Sequence, residues 1–225
     1  VDFHRQPGAD TVALQENHDL LDVLLLFPGA RDQGRPLVAD PVQKTEKKGT
    51  VNTDRTLEIA LACCEDKGIK KVVVASSTGK TALRLREKAK PSVEIIAVTY
   101  GAGSKYREEV EEFNRNRETL AKKGIQTVRG LQGLSAAERA FENKYKSGLL
   151  PLNIVADTLR MFSQGMKVCL EVALMAAEAG FITPDEEVVV IGGSGTGADT
   201  AVIMKPAYAA SMFDTRFKAI LCMPA

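Results

Sequence analysis

Neither sign of charge predominates: 30 Lys and Arg face 29 Asp and Glu, a formal net charge of +1 over 225 residues. No long-range field exists to gather a polyanion, so nucleic acid is not an expected partner. Long apolar runs are also missing. The longest near the start, Val23 to Phe27, falls far short of the roughly 20 residues a membrane-spanning helix needs. Its flank is acidic and no small-residue cleavage site follows, so it does not read as a signal peptide, and the expectation is a cytoplasmic protein. Histidine occurs only at positions 4 and 18, which leaves no Ser-His-Asp arrangement and no metal-ligand spacing. Cys63, Cys64, Cys169 and Cys222 lack CxxC spacing, and an adjacent pair cannot close an ordinary disulfide without severe strain; reduced, mostly buried thiols are expected.

What is present is an apolar content of 44%, enough to fill a real core. Residues 1–50 mix polar, Gly and Pro positions around one apolar island, Leu20 to Phe27, and read as an N-terminal arm; residues 51–225 read as the domain. From Asn52 onward, Leu57, Ile59, Ala60 and Cys63 fall at helical spacing and Gly68 supplies a stop. The β-branched run Val72 to Val74 predicts a buried strand, TGKTALRLREKAK a helix, VEIIAVTYG a second strand, YREEVEEFNRNRETLAKKG a charged helix and IQTVRG a third strand. Helices are expected from Ser135 to about Tyr145 and from about Asn153 to Ala179, with Gly165 as a break and Gly180 as the stop. EEVVVIGGSGTGADTAVIMKP reads as strand, glycine-rich turn and antiparallel strand, and RFKAILCMP as a last edge strand. The expected fold is a three-layer α/β domain, its sheet mixed but mostly parallel with about five to six strands, and helices on both faces. Ligands are then expected at the carboxyl ends of the strands.

The strongest chemical signal is the turn Ser76-Ser77-Thr78-Gly79-Lys80-Thr81 between a buried strand and a helix. Hydroxyls donate hydrogen bonds, Gly79 lets the backbone approach an anion, the helix N-terminus offers free N–H groups, and Lys80 adds a charge; together they read as a phosphate cradle. A capping turn with no ligand is the plain alternative. The nucleotide-hydrolase P-loop is disfavoured, because its first glycine would fall where Val74 stands. The spacing S-x-T-G-x-T resembles instead the phosphate loop of flavodoxins, which implies FMN. Two further loops should reach the same sheet edge. Thr99, Tyr100 and Gly101 follow the second strand, with Tyr100 suited to lie against a flat ring and equally well read as a surface tyrosine. Gly193, Ser194, Gly195, Thr196, Gly197 and Asp199 follow the later strand, offering close backbone amides and, at Asp199, an acceptor for a ring N–H or ribityl hydroxyl. A hairpin turn accounts for these glycines equally well. No helix follows them, so a dinucleotide fingerprint is rejected. Val168, Val172 and Met175 read as core packing or a subunit contact rather than a cofactor box.

The order helix, strand, SSTGKTA, helix, EIIAVT, then EAGFITPDEEVVVIGG and GSGTGADTAVIMKP is similar to the C-terminal domain of pyruvate kinase across most of residues 50–205. NTDRTLEIA, ASSTGKTA, GMKVCLEVALMAAEAG, GADTAVIMKPA and AILCMP resemble still more closely the stand-alone pyruvate kinase alpha/beta-like proteins, known mainly from archaea, a family whose architecture is better defined than its activity. In pyruvate kinase the matching loop holds a phosphate of a sugar-bisphosphate activator, and the catalysis belongs to a separate barrel for which this sequence has no room. Here Lys80 replaces the usual arginine, and the tryptophan near the second phosphate is missing. The resemblance therefore implies a small phosphorylated ligand without pyruvate kinase chemistry. The leading expectation is FMN, in a flavoprotein oxidoreductase or a flavin carrier; the rival is a non-catalytic sensor of a sugar phosphate or nucleotide, and the third an interaction scaffold. A symmetric homo-oligomer is also expected.

Overall fold

A computed structural model describes residues 42–45, 48–135, 137–146 and 148–224. The arm's apolar island and both histidines lie outside these residues. Among the described residues seven strands form one sheet in the order β1-β7-β6-β5-β2-β3-β4. In chain order they are β1 (Gln43–Thr45), β2 (Lys71–Ala75), β3 (Glu94–Thr99), β4 (Gln126–Arg129), β5 (Val188–Gly192), β6 (Thr200–Lys205) and β7 (Arg216–Pro224). The helices are α1 (Thr53–Lys67), α2 (Lys80–Lys88), α3 (Arg107–Lys122), α4 (Glu138–Tyr145), α5 (Pro151–Arg160) and α6 (Gln164–Glu178).

Alternation of side chains along each strand divides the core into two layers. Val72 and Val74 face Leu57, Ala60, Leu85, Phe113 and Leu120 from α1, α2 and α3. Val73, between them, faces the other way, into Met166, Cys169, Val172, Ala173 and Ala176 of α6. A third cluster, Leu134, Leu170 and Leu174 with Leu152, Val155 and Leu159, seats α5 on the outer side of α6. This is the expected three-layer α/β architecture. The sheet is mixed and mostly parallel: β1 with β7, β5 with β2, β2 with β3 and β3 with β4 pair in parallel, whereas β6 runs antiparallel to both neighbours.

Local signals set most boundaries. Gly68 closes α1 in the left-handed conformation at φ 67°, where a side chain would be strained. The antiparallel β5–β6 pair forms as its pattern predicts. Three details differ from the sequence expectation. RFKAILCMP is not an edge strand, because β1, drawn from the polar stretch read as arm, pairs outside it. The sheet holds seven strands, so the expected count runs short by at least that one. The break between α5 and α6 falls at 161–163, where Ser163 caps α6 by accepting from Met166 N at 3.0 Å. Gly165 lies inside α6 and serves close packing: a Cβ there would stand 2.1 Å from Thr200 Oγ1.

Among the described residues no helix is long and apolar enough to cross a membrane. None of the four cysteines is in a disulfide. Cys63 is half-buried, while Cys64 is buried and its thiol is pushed up to about 12, chiefly by desolvation and then by Cys63 beside it. Burial likewise raises Cys169 and Cys222. Thiolate is the reacting form, so a maleimide at pH 8 should label Cys63 first and the other three only on unfolding. Peptide mass mapping of a timed reaction checks this; early label on Cys64 would contradict the burial.

Candidate functional site

Six of the seven strands point the same way, and the turns after β2, β3 and β5 gather at their carboxyl edge. From β2 the chain passes to β3 on one side; from β5, β2's other neighbour, it passes to β6 on the opposite side. Such a divergence opens a crevice beyond the strand ends. A cavity of about 200 Å³ occupies that place.

The turn after β2 is held from outside. Ser76 N donates to Val98 O at 2.9 Å, Thr99 Oγ1 to Ser77 O at 2.9 Å, and Asn116 Nδ2 to Thr78 O at 2.8 Å. Ser76 Oγ, 3% exposed as a residue, accepts from Ala82 N at 3.3 Å and so caps the first turn of α2. Ser76, Ser77, Thr81, Thr99 and Tyr100 all line the cavity. Among the described residues the N–H groups of Ser77, Thr78, Gly79 and Thr81 meet no acceptor, nor do the hydroxyls of Ser77 and Thr81 find a partner. This is the unsatisfied start of a helix, with its positive dipole end turned to the crevice.

Lys80 does something other than expected. Its ammonium pairs with Glu112 of α3 at 2.6 Å, its side chain is 71% exposed, and it lies outside the cavity lining. Thr78 Oγ1 accepts weakly from Lys80 N at 3.4 Å, and neither Thr78 nor Gly79 lines the cavity. Gly79 sits at φ 88°, and a Cβ would press on Leu120 Cδ1 at 3.0 Å, so turn geometry and packing on α3 both require it.

Beyond β3, Tyr100 stacks on Tyr106 with ring centroids 5.0 Å apart and planes inclined by 24°. Both rings line the cavity as an aromatic ledge. Desolvation, then Tyr106, Glu109 and Glu171, raise the Tyr100 phenol above its ordinary value, keeping it a neutral donor. Gly101 lies behind the ledge, where a Cβ would meet Gly130 O at 2.8 Å.

The glycine-rich loop divides between lining and scaffold. Gly193, Gly195 and Gly197 face the cavity. Ser194, Thr196 and Asp199 do not. Asp199 is fully buried: Oδ2 accepts from Gly49 N at 2.8 Å and Ser194 N at 3.0 Å, and Oδ1 accepts from Thr200 Oγ1 at 2.9 Å. Its oxygens hold the loop rather than face a ligand. Thr196 Oγ1 meets Thr50 Oγ1 at 2.9 Å, and Ser194 Oγ is buried with no partner among the described residues.

The largest addition to the expected site comes from α6. Val168, Val172 and Met175, read as core, form an apolar wall of the cavity, joined by Gln164 and Glu171. Glu171 is buried within an ion pair to Lys167, 2.6 Å apart, each side chain 7% exposed. The signal was present in the sequence: a Lys and a Glu four residues apart interrupt an otherwise apolar helix. Gln132, from the β4–α4 connection, completes this side. Among the described residues no group of three or more His, Cys, Asp or Glu could hold a metal ion.

The family model for the pyruvate kinase alpha/beta domain matches residues 54–204, about two thirds of the chain. Among solved structures, a pyruvate kinase from Cryptosporidium parvum is 18% identical over 71% of this chain and 23% of its own, with a TM-score of 0.36. The Cryptosporidium parvum enzyme in complex with ADP gives 18% identity, 70% and 24% coverage and a TM-score of 0.33. An NAD+ synthetase from Burkholderia pseudomallei gives 17% identity, 64% and 52% coverage and a TM-score of 0.33. This chain therefore spans about a quarter of the length of the pyruvate kinases it matches. With its matched segment running from the first turn of α1 to the end of β6, the chain belongs to the pyruvate kinase alpha/beta domain family.

Proposed function

We propose that the crevice binds a monophosphorylated ligand with a flat ring, FMN first among candidates. The observation that carries this reading is the turn after β2: at one helix N-terminus Ser77 and Thr81 line the cavity, and among the described residues their N–H groups and hydroxyls have no partner. They suit a single phosphate held by neutral donors. The Tyr100–Tyr106 ledge and the Val168, Val172 and Met175 wall suit a ring with two apolar faces. Glu171 and Gln164 offer acceptors for a ring N–H. FMN, when bound, supplies hydride and single-electron chemistry; the chain's part is to hold and orient it. A sensor of sugar phosphates is the rival. It is less well matched, because among the described residues neither Lys nor Arg lines the cavity and a bisphosphate calls for both charge and reach.

The test is an absorption spectrum of freshly purified protein, then fluorescence titration with FMN and with riboflavin. FMN should bind, riboflavin at least tenfold more weakly, since it lacks the group the turn would hold. Thr81→Val should weaken FMN by roughly tenfold to a hundredfold, the worth of one hydrogen bond to a charged group, and leave riboflavin unchanged. Equal affinity for the two flavins would sink the cradle. No affinity for either, together with a melting temperature raised by sugar phosphates, would establish the sensor instead.

A further inference from the structure

A second, smaller cavity lies where α4, α5 and α6 meet, with a volume of about 110 Å³. A water molecule takes about 30 Å³ of liquid, so this space suits a few waters or one small ion. Its walls are polar where helix junctions usually bury apolar side chains. Ser135 faces it from the turn before α4, Arg139 from the first turn of α4, Asn153 and Arg160 from one stripe of α5, and Lys167 from α6. The neighbouring stripe of α5, Leu152, Val155 and Leu159, does the apolar packing against α6.

Among the described residues three cations, Arg139, Arg160 and Lys167, line this space against one carboxylate, Glu142. Arg160 spends part of its fork on Asp157 at 2.5 Å and on Gln164 Oε1 at 2.9 Å. Arg139 meets Ser135 Oγ at 3.2 Å and, among the described residues, no carboxylate. Lys167 is the decisive group. An ammonium carries three donors; this one is 6% exposed, and its bond to Glu171 is the single one it makes among the described residues. A buried ammonium with donors to spare is costly unless something accepts from it.

We infer that this three-helix cavity is a second binding site, taking a small tetrahedral oxyanion of the phosphate type between Lys167, Arg139 and Arg160. The guanidinium forks match paired oxygens of such an ion, Lys167 supplies the buried charge, and Asn153 and Ser135 supply neutral donors. The site is distinct from the turn after β2. Gln132 is the residue common to both linings, which makes the two cavities neighbours.

The probe is inorganic phosphate, titrated calorimetrically at constant ionic strength into the full chain, Thr81→Val, Arg139→Gln/Arg160→Gln and the control Lys122→Gln/Lys218→Gln. The control removes the same charge from exposed positions elsewhere. Phosphate should still bind Thr81→Val and the control. Binding in the arginine pair should be weakened at least tenfold, with the melting temperature of the unliganded variant close to that of the parent. Unchanged affinity in the arginine pair, or loss in Thr81→Val with none remaining, would overturn the assignment. Equal weakening in the control would also overturn it, by reducing the effect to general charge.

Discussion

Replacing Lys167 by methionine should destabilise the fold by about 3–5 kcal/mol, the usual cost of stranding one member of a buried ion pair. Glu171 would be left beside Val168, Val172 and Met175 with, among the described residues, only a long bond from Leu134 N, 3.4 Å, for compensation. The double change Lys167→Met/Glu171→Leu should recover most of the loss, because no uncompensated charge remains inside the helix layer. Urea denaturation of parent, single and double variants measures this directly. If the double variant is as unstable as the single, shape rather than charge holds this part of α6. Within the functional proposal, the double variant also removes an acceptor from the cavity wall.

Gly192→Ala should cost about 3 kcal/mol or more, at or beyond the upper end of ordinary overpacking, because backbone stands in the way. The new Cβ would lie 2.4 Å from Gly165 O and 3.0 Å from Cys169 Sγ, where β5 ends against the first turns of α6. A carbonyl inside a helix cannot swing aside, so strand and helix must separate. That displacement carries Gly193 with it and should disturb ligand binding along with stability. Gly103→Ala is the fitting control, since nothing lies within 4 Å of its Cβ; thermal unfolding should shift little and upward if at all. Similar losses at both positions would mean that close approach is not what Gly192 serves.

The alternating half of the fold was legible because burial on both faces leaves a plain mark: Val72 to Val74 and Ile95 to Val98 are unbroken apolar runs flanked by helices with clear stops. β1 was not, since Gln-Lys-Thr carries no such mark and becomes a strand only by pairing with Cys222 to Pro224. The positions of Ser76, Ser77, Thr81 and Tyr100 around one cavity followed from parallel topology. Asp199 and Lys80 show what motif reading misses. A carboxylate in a glycine-rich loop looks available until Gly49, 150 residues away, donates to it. A lysine at a helix start looks anion-directed until Glu112, from the next helix, takes its charge. Glu171 was hidden for the opposite reason, being read with the apolar helix that surrounds it.

The pairing of β1 with β7 and the bond from Gly49 to Asp199 also bear on how the molecule is made. The stretch at 43–50 leaves the ribosome early, yet its partners at 199–224 come from the far end of this sequence. Contacts so far apart in sequence form late and slow folding. During synthesis β2, β3 and β4 can assemble with their helices while β7 and the outermost edge wait. A nascent chain halted before residue 199 should therefore hold a protected α/β centre and unprotected residues at 43–45 and 49, which gain protection only when the last strands emerge.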